Sequence, residues 1–236
     1  HCKIAQEVAI THPAYYIANP FILDNLNENR FYFTRGNNLN GNVVSAILKS
    51  EEEQADDKMT NIFDSVSNKE KLNNVKKILK KAYHGKTILK NGLYYYQEGT
   101  SAFDFRNLST GLKAFALIER LLESGKLKQK DVLILDEPEI HLHPEWQLKF
   151  AEIIVLIQKE FNTNILLNTH SPYFLNAIEV YSEKYAIEKK CNYYLANEEH
   201  GITSIVDVTK ETEKIYAKLA KPLQELENIE YGNAEV

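Results

Sequence analysis

Two short apolar runs, each closed by polar residues, most constrain what this chain can fold into. The first is Val132-Leu133-Ile134-Leu135, ending in Asp136-Glu137-Pro138; the second is Ile165-Leu166-Leu167, ending in Asn168-Thr169-His170-Ser171. Short runs without polar alternation read as strands buried on both faces, as parallel sheets require. Between them, Pro144 sits where a helix tolerates proline, in the first turn. Trp146, Phe150, Ile153, Ile154, Ile157 and Phe161 then recur at helical spacing. Strand, helix and strand within about 36 residues make a βαβ unit, with parallel strands and a right-handed connection.

Ligands of an open parallel sheet bind outside the carboxyl ends of its strands. Asp136, Glu137 and His170 are therefore expected at one edge. An aspartate closing a strand can hold Mg²⁺, a neighbouring carboxylate can orient or deprotonate an attacking water, and a histidine can contact a γ-phosphate or that water. Such phosphoryl transfer is mostly positioning and charge stabilisation. A pair of acids in a βα turn also serves simply to cap the next helix, so the pair alone does not decide. A third element adds weight. Ser109-Thr110-Gly111 precedes a helix read over Leu108 to Leu122, with Ser109 as N-cap and Gly111 leaving backbone N–H groups open to a phosphate. Ser109 lies 27 residues before Asp136, and His170 lies 34 after it.

The remaining pattern is coarser. Val8-Ala9-Ile10, Ala14-Tyr15-Tyr16-Ile17, Phe31-Tyr32-Phe33 and Leu93 to Tyr96 read as strands. An acidic run, Glu51 to Asp57, precedes a lysine-rich stretch in which Leu72, Val75, Ile78, Leu79 and Ala82 recur at helical spacing. Residues 45–85 thus read as an exposed helical insertion, a solvated face or a surface for nucleic acid or a partner. A short helix over 173–180, β segments over 192–208 and a terminal helix over 210–227 complete the reading.

Net charge is −5, which argues against a uniformly basic nucleic-acid binder. No stretch reaches the roughly 18–20 apolar residues that span a bilayer, so no membrane partner is expected. Cys2 and Cys191 are too few and too far apart for a disulfide framework, which points to a reducing, cytoplasmic setting.

In order and form, "LSTG" (108–111), "VLILDEPEIHLHPEWQ" (132–147) and "LLNTHSPYFLNAI" (166–178) resemble the signature, Walker B with D-loop, and switch-histidine motifs of ABC-type ATPases. The non-transporter RecF-like, OLD-like and SMC-related branch is nearest, and within it the AAA family ATPases of Septu-type (PtuA-like) defence systems. The resemblance implies an α/β P-loop NTPase core, with a mainly parallel sheet flanked by helices plus a helical insertion. It divides the chain into a partial N-terminal lobe (1–44), a lysine-rich helical insertion (45–87), the ATPase core (88–208) and a C-terminal helix and tail (209–236).

It also implies roles. Asp136 binds Mg²⁺, Glu137 is the catalytic glutamate and His170 the switch histidine. Ser109, Thr110 and Gly111 contact ATP held by the opposite subunit of a head-to-tail homodimer, and Glu139 through Pro144 form the D-loop at that interface. Leu112 departs from the pattern, because a polar Glu or Gln is usual there. The implied function is ATP hydrolysis in anti-phage defence or DNA processing. OLD-like proteins carry a nuclease domain after the ATPase; only about 28 residues follow Val208, so a nuclease is expected as a separate partner, with DNA as a candidate ligand.

A phosphate loop, G-x-x-x-x-G-K-[ST], is also required. The nine glycines include one pair five apart, Gly36 and Gly41 in "GNNLNGNV", but Asn42 stands in the lysine position and Val43 in the hydroxyl position. "HGKT" (84–87) lacks the first glycine and follows a helix rather than a strand. The only methionine is Met59, so residue 1 is no initiator. The expectation is that the Walker A lobe is missing from this chain, which alone should be inactive. A decayed loop is the alternative. Two rival functions stand beside hydrolysis: a nucleotide-dependent dimerisation scaffold, and a zinc hydrolase built on His141, His143, His170 and Asp136.

Overall fold

The apolar runs do become parallel strands. In the computed structural model, which describes residues 12–24, 43, 46–47, 62–90, 93–199 and 201–232, the chain divides into two compact units, His1–Thr169 and His170–Val236. Val8 to Ile10, Phe31 to Phe33, the Glu51 to Asp57 run and the Gly36–Asn42 part of "GNNLNGNV" lie outside the described residues. Of the possible helix opening at Val43, the described Val43, Ala46 and Ile47 are helical and buried.

Among the described residues, the first unit is built on a three-stranded parallel sheet. Strands β1 (Ala14–Ile17), β5 (Val132–Asp136) and β6 (Asn164–Asn168) lie in the order β1-β5-β6. Ala14 pairs with Val132, and Val132 with Asn164, so the register runs through to Asp136 beside Asn168. Between β5 and β6 comes α3 (Pro144–Phe161), and before β5 comes α2 (Thr110–Glu123).

These helices form where their signals predicted. Ser109 caps α2, its Oγ accepting from the Leu112 N–H at 3.4 Å. His143 caps α3, with Pro144 at its first position. Helix α3 ends at Asn162, whose φ of 50° is the left-handed stop that asparagine tolerates. Phe115, Ile118, Phe150, Ile153 and Ile157 fill the core together with Leu133 and Leu135.

Two expectations need correction. β6 is not buried on both faces: Leu166 is 62% exposed, because β6 pairs only with β5 among the described residues. The lysine-rich helix α1 (Ile62–Leu79) is not a detached exposed insertion either. It packs on α3 and, less extensively, on α2, burying Val75 and Leu79, with Ala82 and Tyr83 buried just beyond it. Lys76 pairs with Glu123 of α2 at 2.5 Å, and Asn74 donates to Glu160 of α3 at 3.1 Å. Lys69, Lys77, Lys80 and Lys81 remain exposed. The apolar spacing was read correctly, but its partner face was not visible in the sequence.

An antiparallel meander completes this unit: β2 (Lys86–Lys90), β3 (Leu93–Glu98) and β4 (Ser101–Asp104). "HGKT" therefore opens a strand rather than a phosphate loop. Gly85 is forced by contact, since a Cβ there would sit 2.3 Å from Cε2 of Tyr96.

The second unit comprises α4 (Pro172–Lys184), the hairpin β7 (Tyr194–Glu199) with β8 (Ile202–Asp207), and α5 (Glu213–Gly232). The boundary between units falls inside the 88–208 segment. The Tyr216 hydroxyl of α5 donates to Glu179 of α4, and Lys218 donates to the Ala196 carbonyl of β7.

Candidate active site

Strand β5 delivers Asp136 as its last residue, and the chain leaves the sheet at Glu137 in the left-handed region, with φ of 41°. Few non-glycine residues adopt that conformation, and they do so where surrounding structure holds them. Here the hold comes from the neighbouring strand. Asn168 Nδ2 donates to Asp136 Oδ1 at 2.6 Å, while Asn168 Oδ1 accepts the Glu137 backbone N–H at 2.9 Å. From the other side, the Tyr16 hydroxyl of β1 donates to Asp136 Oδ2 at 2.9 Å. That bond first, then desolvation and the Asp136 charge, raises the Tyr16 phenol above its ordinary 10.0. The phenol therefore remains a donor at neutral pH.

The turn after Glu137 is tight. Ile140 N–H donates to the Glu137 carbonyl at 3.2 Å, and Leu142 N–H to the Glu139 carbonyl at 2.8 Å. Glu139 is buried, and Thr169 donates its hydroxyl to Oε1. Leu142 is buried as well.

A cavity of about 280 Å³ opens at this edge. Ile17 to Pro20 after β1 and Leu135 to Pro138 at the end of β5 line it, with Leu117 and Ile118 of α2 on its apolar side. Asp136, Glu137 and His141 are thus brought to one cavity.

Ser109 is exposed at the open N-terminus of α2 and Thr110 is half-buried. Gly111 has a packing reason as well as the expected phosphate one. A Cβ on it would lie 2.9 Å from Cζ3 of Trp146 and 3.4 Å from Cδ2 of Leu142. Gly111 and helix α3 are therefore packed against each other. Leu112, the departure from the pattern, is half-buried. His170 opens the second unit, just ahead of Ser171, the N-cap of α4.

The zinc arrangement finds no support in the geometry. His143 Nδ1 accepts the Glu145 N–H at 3.4 Å, and the His141 ring stands edge-on to Phe21 at 5.9 Å. Among the described residues no three His, Cys, Asp or Glu side chains cluster as a metal set. Mg²⁺ asks for less, because it is commonly held by one or two carboxylates with water and phosphate oxygens. Asp136 fits that demand. Each of its oxygens accepts one neutral hydrogen bond, and a carboxylate oxygen has a second lone pair to offer.

Sequence reading missed Tyr16 and Asn168 as members of this edge. The signal for Asn168 was present: aligning the two apolar runs as neighbouring strands sets Asp136 beside it.

The Septu protein PtuA of Bacillus thuringiensis is 28% identical over 116 residues, a match covering 39% of this chain and 29% of that protein. The chain thus spans less than a third of that relative's length. An SMC ATPase structure, from work on ATP-driven dimerization and DNA-stimulated activation, aligns with a TM-score of 0.45 at 16% identity, over 64% of this chain and 92% of that one. The SMC head domain from Thermotoga maritima aligns at 0.39 and 18% identity, over 57% and 45%. The model of a family described as "AAA domain, putative AbiEii toxin, Type IV TA system" matches residues 11–176, more than two thirds of the chain and all of its parallel sheet. The chain belongs to that AAA domain family.

Proposed function

We propose that the whole protein hydrolyses ATP in a head-to-tail homodimer, and that this hydrolysis drives a partner in anti-phage defence or DNA processing. The observation that carries the reading is the pair Asp136 and Glu137 at the carboxyl edge of a parallel strand, opening on a cavity that α2 helps to line. Asp136 holds Mg²⁺. Glu137 orients the attacking water and takes its proton as the bond to the γ-phosphorus forms and ADP leaves. His170 contacts the γ-phosphate or that water. Ser109, Thr110 and Gly111 present the N-terminus of α2 to the nucleotide of the other subunit, where exposed N–H groups and the helix dipole favour phosphate. Mg²⁺ held by Asp136 would supply positive charge against the phosphates during transfer.

The phosphate-cradling lysine loop comes, in this reading, from sequence outside these 236 residues. Support comes from the sequence, in which no G-x-x-x-x-G-K-[ST] occurs. This chain alone should therefore bind ATP weakly or not at all. The likeness to Septu PtuA supports a defence role; a separate nuclease effector and a cytoplasmic setting belong to the same proposal. No helix among the described residues is long and apolar enough to cross a membrane.

The test is Glu137→Gln in the full-length protein. Loss of a general base costs about 10²–10⁴-fold in rate, so hydrolysis should slow by that order while ATP-bound dimers persist. Unchanged turnover would remove Glu137 from the chemistry.

A further inference from the structure

We propose that Asn168 is a positioning residue for hydrolysis, because one carboxamide fixes both acids at the β5 edge. The inference rests on the roles given above to Asp136 and Glu137.

Asp136 and Asn168 are register partners on neighbouring parallel strands. The amide nitrogen donates to the Asp136 carboxylate at 2.6 Å, and the amide oxygen accepts the Glu137 N–H at 2.9 Å. Only this orientation satisfies both contacts. Reversal would set an oxygen against a carboxylate and an NH₂ group against an N–H.

Few side chains could replace it. Leucine has the volume but neither bond. Serine has one oxygen on a shorter stem and cannot reach both partners. Aspartate accepts the N–H but sets a second negative charge against Asp136. The bond to Glu137 acts where the backbone is left-handed, φ 41°, a region that non-glycine residues keep only when held. Asn168 and the Tyr16 hydroxyl then grip the two oxygens of Asp136 from opposite neighbours, which leaves the carboxylate one orientation. Asn168 itself is exposed at the end of β6, so its substitution removes these bonds without opening the core.

The experiment measures steady-state ATP hydrolysis by the full-length protein carrying Asn168→Leu, Asn168→Asp or Glu137→Gln. Residues that orient metal-binding groups cost about 10–100-fold when removed. Asn168→Leu should therefore lower kcat by that factor, with KM for MgATP within about threefold, and raise the Mg²⁺ concentration that gives half-maximal rate. Asn168→Asp separates positioning from plain structure: it keeps the shape and the bond to the Glu137 N–H but loses the donor to Asp136, so its kcat should fall as well, with KM for MgATP within about threefold.

If Glu137→Gln is slow while Asn168→Leu keeps wild-type kcat and Mg²⁺ dependence, the positioning role is overturned and the active-site reading stands. If Glu137→Gln turns over normally, both are overturned. Should Asn168→Leu not fold, a wild-type kcat in Asn168→Asp overturns the proposal by itself.

Discussion

Replacing Gly111 with alanine measures the packing between α2 and α3. The new methyl carbon would begin 2.9 Å from Cζ3 and 3.0 Å from Cε3 of Trp146, against an ordinary carbon–carbon contact of about 3.5–4.0 Å. The indole must retreat by about 0.5–1 Å. It cannot retreat inward, because its ring stands edge-to-face on Phe115 at 5.7 Å and 81°, and Phe115 is fully buried. Retreat outward is open, since Trp146 is half-buried, but it loosens that aromatic pair. Edge-to-face pairs contribute about 0.5–1.5 kcal/mol, and overpacked sites lose about 1–3 kcal/mol. Alanine in a helix returns at most about 1 kcal/mol relative to glycine. The net expectation is a loss of about 1–2 kcal/mol, or about 3–6 °C in Tm for a domain of this size.

Trp146 is the only tryptophan, so its fluorescence in a urea titration reports the event directly. A double-mutant cycle with Trp146→Leu, followed by circular dichroism, isolates the contact. In that background the methyl has room, and Gly111→Ala should be neutral or stabilising, with a coupling of about 1 kcal/mol or more. An equal cost in both backgrounds, or no cost in the wild type, would refute the packing argument and leave only phosphate approach to explain Gly111.

Two further outcomes test the surroundings of the site. Lys113, buried on α2, bonds Asp24 at 2.7 Å and the Arg106 carbonyl at 3.3 Å, with its ammonium 5.1 Å from the Phe21 ring centroid. Asp24→Asn strands that cation and should cost about 3 kcal/mol in urea unfolding, the low end for a broken buried pair because Asp24 is 25% exposed; adding Lys113→Met should recover most of the loss, and no recovery would show that the pair is not the cause. Glu119 accepts both the N–H and the hydroxyl of Thr87, yet desolvation, with Glu123 nearby, raises its pKa above the ordinary 4.5. The folded state therefore binds this proton more tightly than the unfolded state does, so its contribution is complete below 4.5 and is lost as pH rises through the raised value. The stability of Glu119→Gln relative to wild type should grow with pH above 4.5, and a pH-independent difference would count against the burial argument.

What could be read in the sequence and what could not divide along a physical line. Local signals held. Ser109 and Pro144 start helices because an N-terminal turn needs a side-chain acceptor and has no use for the proline N–H. The unbroken apolar runs became the parallel pair β5 and β6, although burial alternates along both. Signals that depend on a partner surface failed. Leu166 reads as core by composition, yet lies exposed on a strand paired on one side among the described residues. The lysine-rich α1 reads as part of an exposed insertion, yet Val75 and Leu79 are buried in a helix that packs on α3.

The acidic edge lies between these cases. Asp136 and Glu137 were visible as chemistry, while Tyr16 and Asn168 were visible only as neighbours. Parallel strands must align their apolar runs to bury them together, so Leu133 pairs with Ile165. Once that pair is set, the polar residue closing one run is carried to the polar residue closing the other. Asn168 is opposite Asp136 for that reason, and an amide is the one small side chain that can answer a carboxylate and an N–H together.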